Sequence, residues 1–104
     1  MKTLSLVVLV LLAASGAPPR SVQRHDVSIE QFQYRPAVIH AAVGDTIVWR
    51  NQDIVPHTAR AKDGSWDTGH MGAKAQRVTV MRSRGEHEFT CLYHSNMKGK
   101  LVVR

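Results

Sequence analysis

The chain has 104 residues, of which 43% are hydrophobic and 21% are charged. This balance is typical of a globular chain and excludes a disordered or fibrous one, and the length allows one domain but not two lobes. The formal net charge is +6. In an intracellular protein such a surplus would indicate nucleic acid, but here the basic residues are scattered singly, so we expect no nucleic acid. An acidic protein partner, or solubility alone, explains the charge.

The N-terminal residues have the pattern of a secretory signal peptide. A charged start is followed by the apolar run 4–14 and then by small residues. The run is shorter than the ~20 residues that span a bilayer, so we predict cleavage rather than anchoring. We place the signal peptide at 1–17, with cleavage after Ser15 or Gly16 as alternatives, and the mature domain at 18–104. The product would be periplasmic or secreted, without a membrane anchor.

The rest of the chain alternates polar and apolar residues as strands do, and it shows no pattern of an amphipathic helix. A phase slip at Gln31 and Phe32 indicates a bulge in the first strand. Ile47 and Trp49 are expected to share one inner face, and Phe89 and Cys91 another. The predicted strands lie, in chain order, at 26–30, 32–34, from about Pro36, and at 46–50, 76–80, 86–91 and 100–103. These six or seven short strands predict an all-β, Greek-key antiparallel β-sandwich.

The segment 62–75 is the least regular part of the predicted domain. It carries several glycines and is expected to form a long loop or a crossover between sheets. Within it, His70 and Met71 are expected in a solvated loop, with weak Cu(I) binding or a docking patch as alternatives. His25, His40 and His87 are interpreted as surface or structural residues.

Cys91 is the only cysteine of the chain. A small exported domain usually contains disulfides, and one cysteine can form none within the chain. A free thiol in an oxidising compartment is expected to be buried, paired between chains or bound to a metal.

The spacing of Cys91, His94 and Met97 favours the metal. The three residues follow one another at intervals of three in a short loop between two predicted strands. A thiolate, an imidazole and a thioether are soft ligands that favour copper, and a weak axial thioether is typical of a blue-copper electron-transfer centre. Such a centre needs a second imidazole, for which His57, directly after Pro56, is the candidate. We therefore predict one bound copper ion, Cu(I)/Cu(II).

The same residues carry a family resemblance. The segment 91–103 resembles the ligand loop and final strand of the cupredoxins, small plastocyanin-like blue-copper proteins, and within them it is most similar to the amicyanins. Val43-Gly-Asp-Thr-Ile-Val-Trp and Pro56-His57 resemble earlier motifs of the family in the same order. The resemblance covers roughly 38–103, most of the predicted mature chain.

The resemblance implies a cupredoxin fold and a type 1 copper site. His57, Cys91 and His94 would be equatorial ligands and Met97 the weak axial one. It also implies that the residue after the first histidine donates its backbone N–H to the cysteine sulfur. The second histidine would expose its ring edge in an apolar patch, through which electrons pass.

Three residues depart from the family pattern. Ser95 stands where amicyanin-like loops commonly carry proline, and Thr58 replaces an asparagine whose side chain pins the two ligand loops together. Tyr93 lies inside the ligand loop and is expected to line the site or stack beside it. None of these departures removes a ligand.

Two functions remain open from the sequence. The first is a monomeric electron carrier that docks on acidic redox partners, such as a cytochrome c or a periplasmic dehydrogenase or reductase. The second is a copper-binding or delivery protein of copper homeostasis. A copper enzyme would need further ligands, and the His-Cys-His tripeptide that couples a second centre is missing, so we predict no enzyme. A metal-free sandwich used only for binding is a further alternative.

Overall fold

The structure is a computed structural model that describes Thr3 and residues 20–104. The predicted signal peptide, residues 1–17, falls outside the described residues except for Thr3, and it stays a prediction. The described residues contain no helix, and hence no helix long and apolar enough to cross a membrane. They form eight strands: Arg24–Glu30 (β1), Gln33–Arg35 (β2), Val38–Ala41 (β3), Thr46–Asn51 (β4), Arg60–Ala61 (β5), Gln76–Val80 (β6), Gly85–Thr90 (β7) and Lys98–Val103 (β8).

The strands make two four-stranded sheets, with the orders β2-β1-β4-β6 and β3-β8-β7-β5. One hydrophobic core is shared by both sheets, so the predicted all-β sandwich is confirmed. The strands are not antiparallel throughout, however, because β1 pairs with β4, and β3 with β8, in parallel. Parallel neighbours need a crossover rather than a tight turn. Here the chain leaves the first sheet after β2, forms β3 in the second sheet and returns as β4.

Trp49 lies at the centre of the core. Its ring is fully buried, stacks on Trp66 at 5.5 Å between centroids and meets the edges of Tyr34 and Phe89. The indole N–H donates to the Thr79 hydroxyl at 2.9 Å, so the one polar atom of this side chain is satisfied. The inner faces predicted from Ile47 with Trp49, and from Phe89 with Cys91, are confirmed by the burial of all four residues.

Gln31 and Phe32 form a turn and not the predicted bulge. The register pairs Glu30 with Gln33, so these two residues are the whole loop of the β1–β2 hairpin. Both have positive φ, 53° and 58°. Two-residue hairpin loops of type I′ require positive φ at both positions, and this conformation matches the twist of the strands. Sequence alternation alone cannot separate such a turn from a bulge, since both shift the phase of the apolar residues.

Strand pairing brings the predicted ligand loops together. β5 begins two residues after Thr58 and pairs with the end of β7, so that Arg60 lies opposite Thr90. This pairing carries the loop after β4, which holds His57, to the loop between β7 and β8, which begins at Cys91. The segment after β5 then crosses to the first sheet, where it forms β6, as the sequence predicted.

Candidate metal centre

Three side chains that can bind a metal converge between these loops. The ligand atoms of His57, Cys91 and His94 all lie within 4.8 Å of one another. The Cys91 Sγ is 3.9 Å from His57 Nδ1 and 3.7 Å from His94 Nδ1. A sulfur and a nitrogen bound to one metal ion at the usual bond lengths lie about 3.6–3.8 Å apart. The two sulfur–nitrogen distances are therefore close to those of ligands that share one ion.

Met97 closes the ligand loop. Its N–H donates to the His94 carbonyl at 3.0 Å, and its carbonyl accepts the Cys91 N–H at 3.4 Å. The Met97 side chain is 1% exposed. These two backbone hydrogen bonds fold the loop back, so that its first residue, Cys91, lies next to its last residue, Met97. A role for the Met97 thioether as axial ligand stays a prediction.

Thr58 joins the two ligand loops. Its N–H donates to the Cys91 Sγ at 3.3 Å, which confirms the bond implied by the family resemblance. Its hydroxyl accepts the Leu92 N–H at 2.9 Å, so threonine supplies the link between loops that an asparagine often makes. The Tyr34 hydroxyl donates to the Thr58 carbonyl at 2.6 Å. Burial, with the nearby Cys91 charge, raises the pKa of Tyr34 well above its usual value, so the phenol keeps its proton.

His57 is oriented by Asp53, a residue that the sequence reasoning missed. The ring is fully buried, and its Nε2 lies 2.7 Å from the Asp53 Oδ2. A carboxylate only accepts hydrogen bonds, so Nε2 carries the proton and Nδ1, on the cysteine side, is free to bind a metal. Burial alone would raise the pKa of Asp53, but hydrogen bonds from the Phe32 N–H, from His57 and from the Gln31 N–H lower it. The sequence did contain a signal for this contact, since Asp53 is an acidic residue four positions before the candidate ligand His57.

His94 is half-buried and has an aromatic neighbour that the sequence did not predict. The Phe32 ring meets His57 and His94 edge-on, with centroids 5.2 and 4.9 Å apart. Phe32 is itself 44% exposed. Other large apolar side chains in the ligand loops are exposed as well: Ile54, Leu92 and Tyr93. Exposed apolar side chains therefore flank the ligand residues along the chain, and the Phe32 ring lies against two of them.

Met71 does not lie in a solvated loop. It is fully buried and pairs with His57 through two backbone hydrogen bonds, of 3.0 and 2.9 Å. The Asn51 side-chain amide donates to the Met71 carbonyl at 3.1 Å and fixes this pairing from the end of β4. The expectation is wrong here because the segment carrying Met71 crosses over the core. The neighbouring His70 is exposed, and its Nδ1 lies 2.8 Å from the Tyr93 hydroxyl, beside the ligand loop.

The remaining histidines stay outside the cluster, as predicted. His25 contacts Asp45 at 2.9 Å, His40 is exposed, and His87 is 9% exposed with its Nε2 3.0 Å from the Ser83 carbonyl. Within the described part of the chain, His57, Cys91 and His94 form the one metal-ligand cluster of this type.

Comparison with known proteins gives the family. The sequence matches the profile described as the cupredoxin-like domain over residues 2–103. The chain belongs to this family. As a cupredoxin it is similar to amicyanin of Paracoccus denitrificans, with 30% identity over 82 residues that cover 74% of this chain and 63% of that protein. It is 28% identical to amicyanin of Paracoccus versutus, over 88% of this chain and 71% of that one.

Solved structures agree with this assignment. The cupredoxin described here superposes on the Cu(I) form of a methionine-to-alanine variant of amicyanin with a TM-score of 0.72 and 26% identity. It superposes on an oxidised methionine-to-leucine variant with a TM-score of 0.72 and 25% identity. Each comparison covers 88% of this chain and 89% of the other. The resemblance to amicyanin stated from the sequence is thus confirmed.

The donor set fits the family's metal. A thiolate and two imidazoles are ligands that copper prefers, and their ligand atoms lie within 4.8 Å of one another. The cofactor of this cupredoxin is one copper ion.

Proposed function

We propose that this protein is a type 1 copper protein that carries single electrons. His57, Cys91 and His94 would hold the copper, and Met97 would be a weaker fourth ligand. The carrying observation is the convergence of the Cys91 Sγ with the Nδ1 atoms of both histidines at 3.9 and 3.7 Å, with the sulfur also accepting the Thr58 N–H.

Bound copper supplies the Cu(II)/Cu(I) couple, and the chain supplies a fixed set of ligands. His57 is held by Asp53, Cys91 by the Thr58 N–H, and the ligand loop by its own backbone bonds. Side chains locked by packing and hydrogen bonds keep one geometry when the charge of a metal changes. Such rigidity keeps the reorganisation small, which suits electron transfer.

His94 is the proposed exit for the electron. It is half-buried. Leu92 and Tyr93, which precede it in the same loop, are 56% and 48% exposed. A partner that packs on this apolar rim would bring its own redox centre close to the His94 ring. The formal charge of +6 favours an acidic partner surface, for example on a cytochrome c or a periplasmic dehydrogenase or reductase. Association should then slow as salt is added.

Copper delivery is the competing function, and the burial of the sulfur ligands favours electron transfer over it. Handing a metal to another protein needs ligands that a partner can reach. Cys91 is 2% exposed, and Met71, Met81 and Met97, the methionines of residues 20–104, are each at most 2% exposed.

We also propose that the domain is exported to the periplasm or secreted, by the signal peptide predicted at 1–17, and acts as a monomer.

The decisive test is an absorption and electron paramagnetic resonance spectrum after one equivalent of Cu(II) is added and excess is removed. An intense band near about 600 nm, the range of a cysteine-thiolate blue site, with narrow copper hyperfine splitting would support the proposal. Weak, ordinary Cu(II) signals that a mild chelator removes would refute it and favour copper handling.

A further inference from the structure

The β1–β2 turn is built from residues that do not favour its backbone conformation. Gln31 and Phe32 both have positive φ, where Asn, Asp and Gly are preferred and bulky side chains are uncommon. Surrounding structure must hold such a turn in place. The question is what holds it, since the turn carries Phe32 to the two imidazoles of the site.

One carboxylate holds the turn. The Asp53 Oδ1 accepts the Gln31 N–H at 2.7 Å, and its Oδ2 accepts the Phe32 N–H at 3.0 Å. The Asp53 backbone N–H donates to the Asn51 side-chain oxygen at 3.0 Å, so the acid is itself fixed to the end of β4. The Asp53 side chain is 15% exposed, which protects these bonds from competition with water.

The same carboxylate holds the candidate ligand His57. Its Oδ2 lies 2.7 Å from the His57 Nε2, in addition to accepting the Phe32 N–H. The Phe32 ring in turn meets the rings of His57 and His94 edge-on. Each of Asp53, Phe32 and His57 thus contacts the other two. The carboxylate binds the Phe32 backbone and the His57 ring, and so positions both aromatic rings.

We propose that Asp53 is a positioning residue that couples the β1–β2 turn to His57, so that Phe32 is held as a cover over the two imidazoles and His57 keeps Nδ1 free for the metal. The copper part of this inference rests on the proposed function. The coupling itself is a property of the metal-free chain and can be measured there.

The test compares Asp53→Asn with the matched control Asp26→Asn, which removes the same charge from a side chain that is 61% exposed and pairs only with Arg24 among the described residues. An asparagine side chain has one acceptor oxygen and two N–H donors, so it cannot accept all three bonds. In metal-free Asp53→Asn we expect amide exchange at Gln31 and Phe32 to rise by about tenfold or more, the factor that corresponds to losing a hydrogen bond to a charged acceptor.

Nuclear magnetic resonance of the imidazoles gives two further signals in the same metal-free samples. The nitrogen shifts of His57 should change from one tautomer to a mixture in Asp53→Asn. The ring-current shifts that Phe32 imposes on the His57 and His94 ring protons should decrease. Both signals should stay as in the unmodified protein in Asp26→Asn.

Phe32→Gly distinguishes the conformation of the β1–β2 turn from the effect of the Phe32 ring on the imidazoles. Glycine adopts positive φ without strain, so Asp53 should still protect the Gln31 amide and the His57 tautomer, while the ring-current shifts disappear. If Asp53→Asn fails to fold, Asp53→Glu replaces it, since the extra methylene displaces the carboxylate but keeps its charge. Loss of the His57 tautomer in Phe32→Gly would overturn the proposed order, in which the acid acts on both rings.

Copper-loaded samples complete the test. Asp53→Asn and Phe32→Gly should each shift the reduction potential and the copper hyperfine splitting, and Asp26→Asn should not. Exchange, tautomer and ring-current signals in Asp53→Asn that match those of Asp26→Asn would overturn the inference. If the unmodified protein shows no blue band, the proposed function fails, while the metal-free signals still decide whether Asp53 couples the turn to His57.

Discussion

Two aspartates at opposite ends of β4 differ in what they hold. Asp45 directly precedes β4 and Asp53 follows it by two residues, so the strand separates them by roughly 20 Å at about 3.3 Å per residue. Both accept several hydrogen bonds, two of them from backbone N–H groups of other segments. Asp53 does so beside the candidate ligand His57, whereas Asp45 lies at the far end of the sandwich.

The difference lies in their partners. Asp45 is fully buried and accepts two bonds from the Arg20 guanidinium, the N–H groups of Gln23 and Ala42, and a contact from His25. Asp53 has His57 as its one ion-pair partner among the described residues. Asp45, whose hydrogen bonds come from a guanidinium and from backbone N–H groups, stabilises the fold. Asp53 also contacts the ring of a candidate ligand and so orients part of the metal site. The comparison predicts that stability and copper binding can be damaged separately.

Cys91→Ser should have the largest effect, confined to the copper end. Loss of the thiolate should abolish the band near about 600 nm, because that absorption needs the sulfur–copper bond. The serine hydroxyl can still accept the Thr58 N–H, so metal-free stability should change by no more than about 1–2 kcal/mol. Absorption spectra and urea unfolding check both halves. An unchanged blue spectrum would contradict the ligand assignment.

Asp45→Asn should reduce the stability of the fold and leave copper binding intact. Arg20 and His25 lose the buried Asp45 carboxylate as their partner. We expect a loss of about 2–3 kcal/mol in the free energy of unfolding, reduced from the value for a fully buried pair because Arg20 is 51% exposed. The blue spectrum should be retained. Asp26→Asn is the control and should change stability by less than about 0.5 kcal/mol. A damaged copper spectrum in Asp45→Asn would break the separation of the two ends.

Acid should reveal the same contribution. The Arg20 guanidinium, with the other hydrogen bonds to its carboxylate, holds the pKa of Asp45 far below its usual value. Because the folded-state pKa is depressed, the stabilisation is complete above the unfolded value of about 3.9 and is lost as the pH falls towards the folded one. Urea unfolding from pH 6 downwards should show less acid sensitivity in Asp45→Asn than in the unmodified protein. Some should remain, since the pKa values of Asp53 and Asp63 are also lowered.

Thr58→Val should have the smallest effect. It removes the hydroxyl that accepts the Leu92 N–H but keeps the backbone N–H that donates to the Cys91 Sγ. We expect a loss of about 1 kcal/mol and a blue band that shifts but persists. Thr58→Ser keeps the hydroxyl and should behave as the unmodified protein. Equal behaviour of the two variants in urea unfolding would show that the hydroxyl does not link the loops.

The sequence alone determined the local chemistry of the site. Cys91, His94 and Met97 lie within seven residues, so their spacing already places a thiolate, an imidazole and a thioether in one loop. Alternation along β4 and β7 likewise fixed which residues face the core, because side chains in a strand alternate strictly between two faces.

Only the tertiary structure decided what distant segments do to one another. Local patterns do not specify which strands pair or in which direction, so the parallel pairings of β1 with β4 and of β3 with β8 were not predicted. The Asp53 contact with the Phe32 N–H was missed for the same reason. It joins a turn to a loop 21 residues further along the chain, a proximity that arises when β1 and β4 pair side by side.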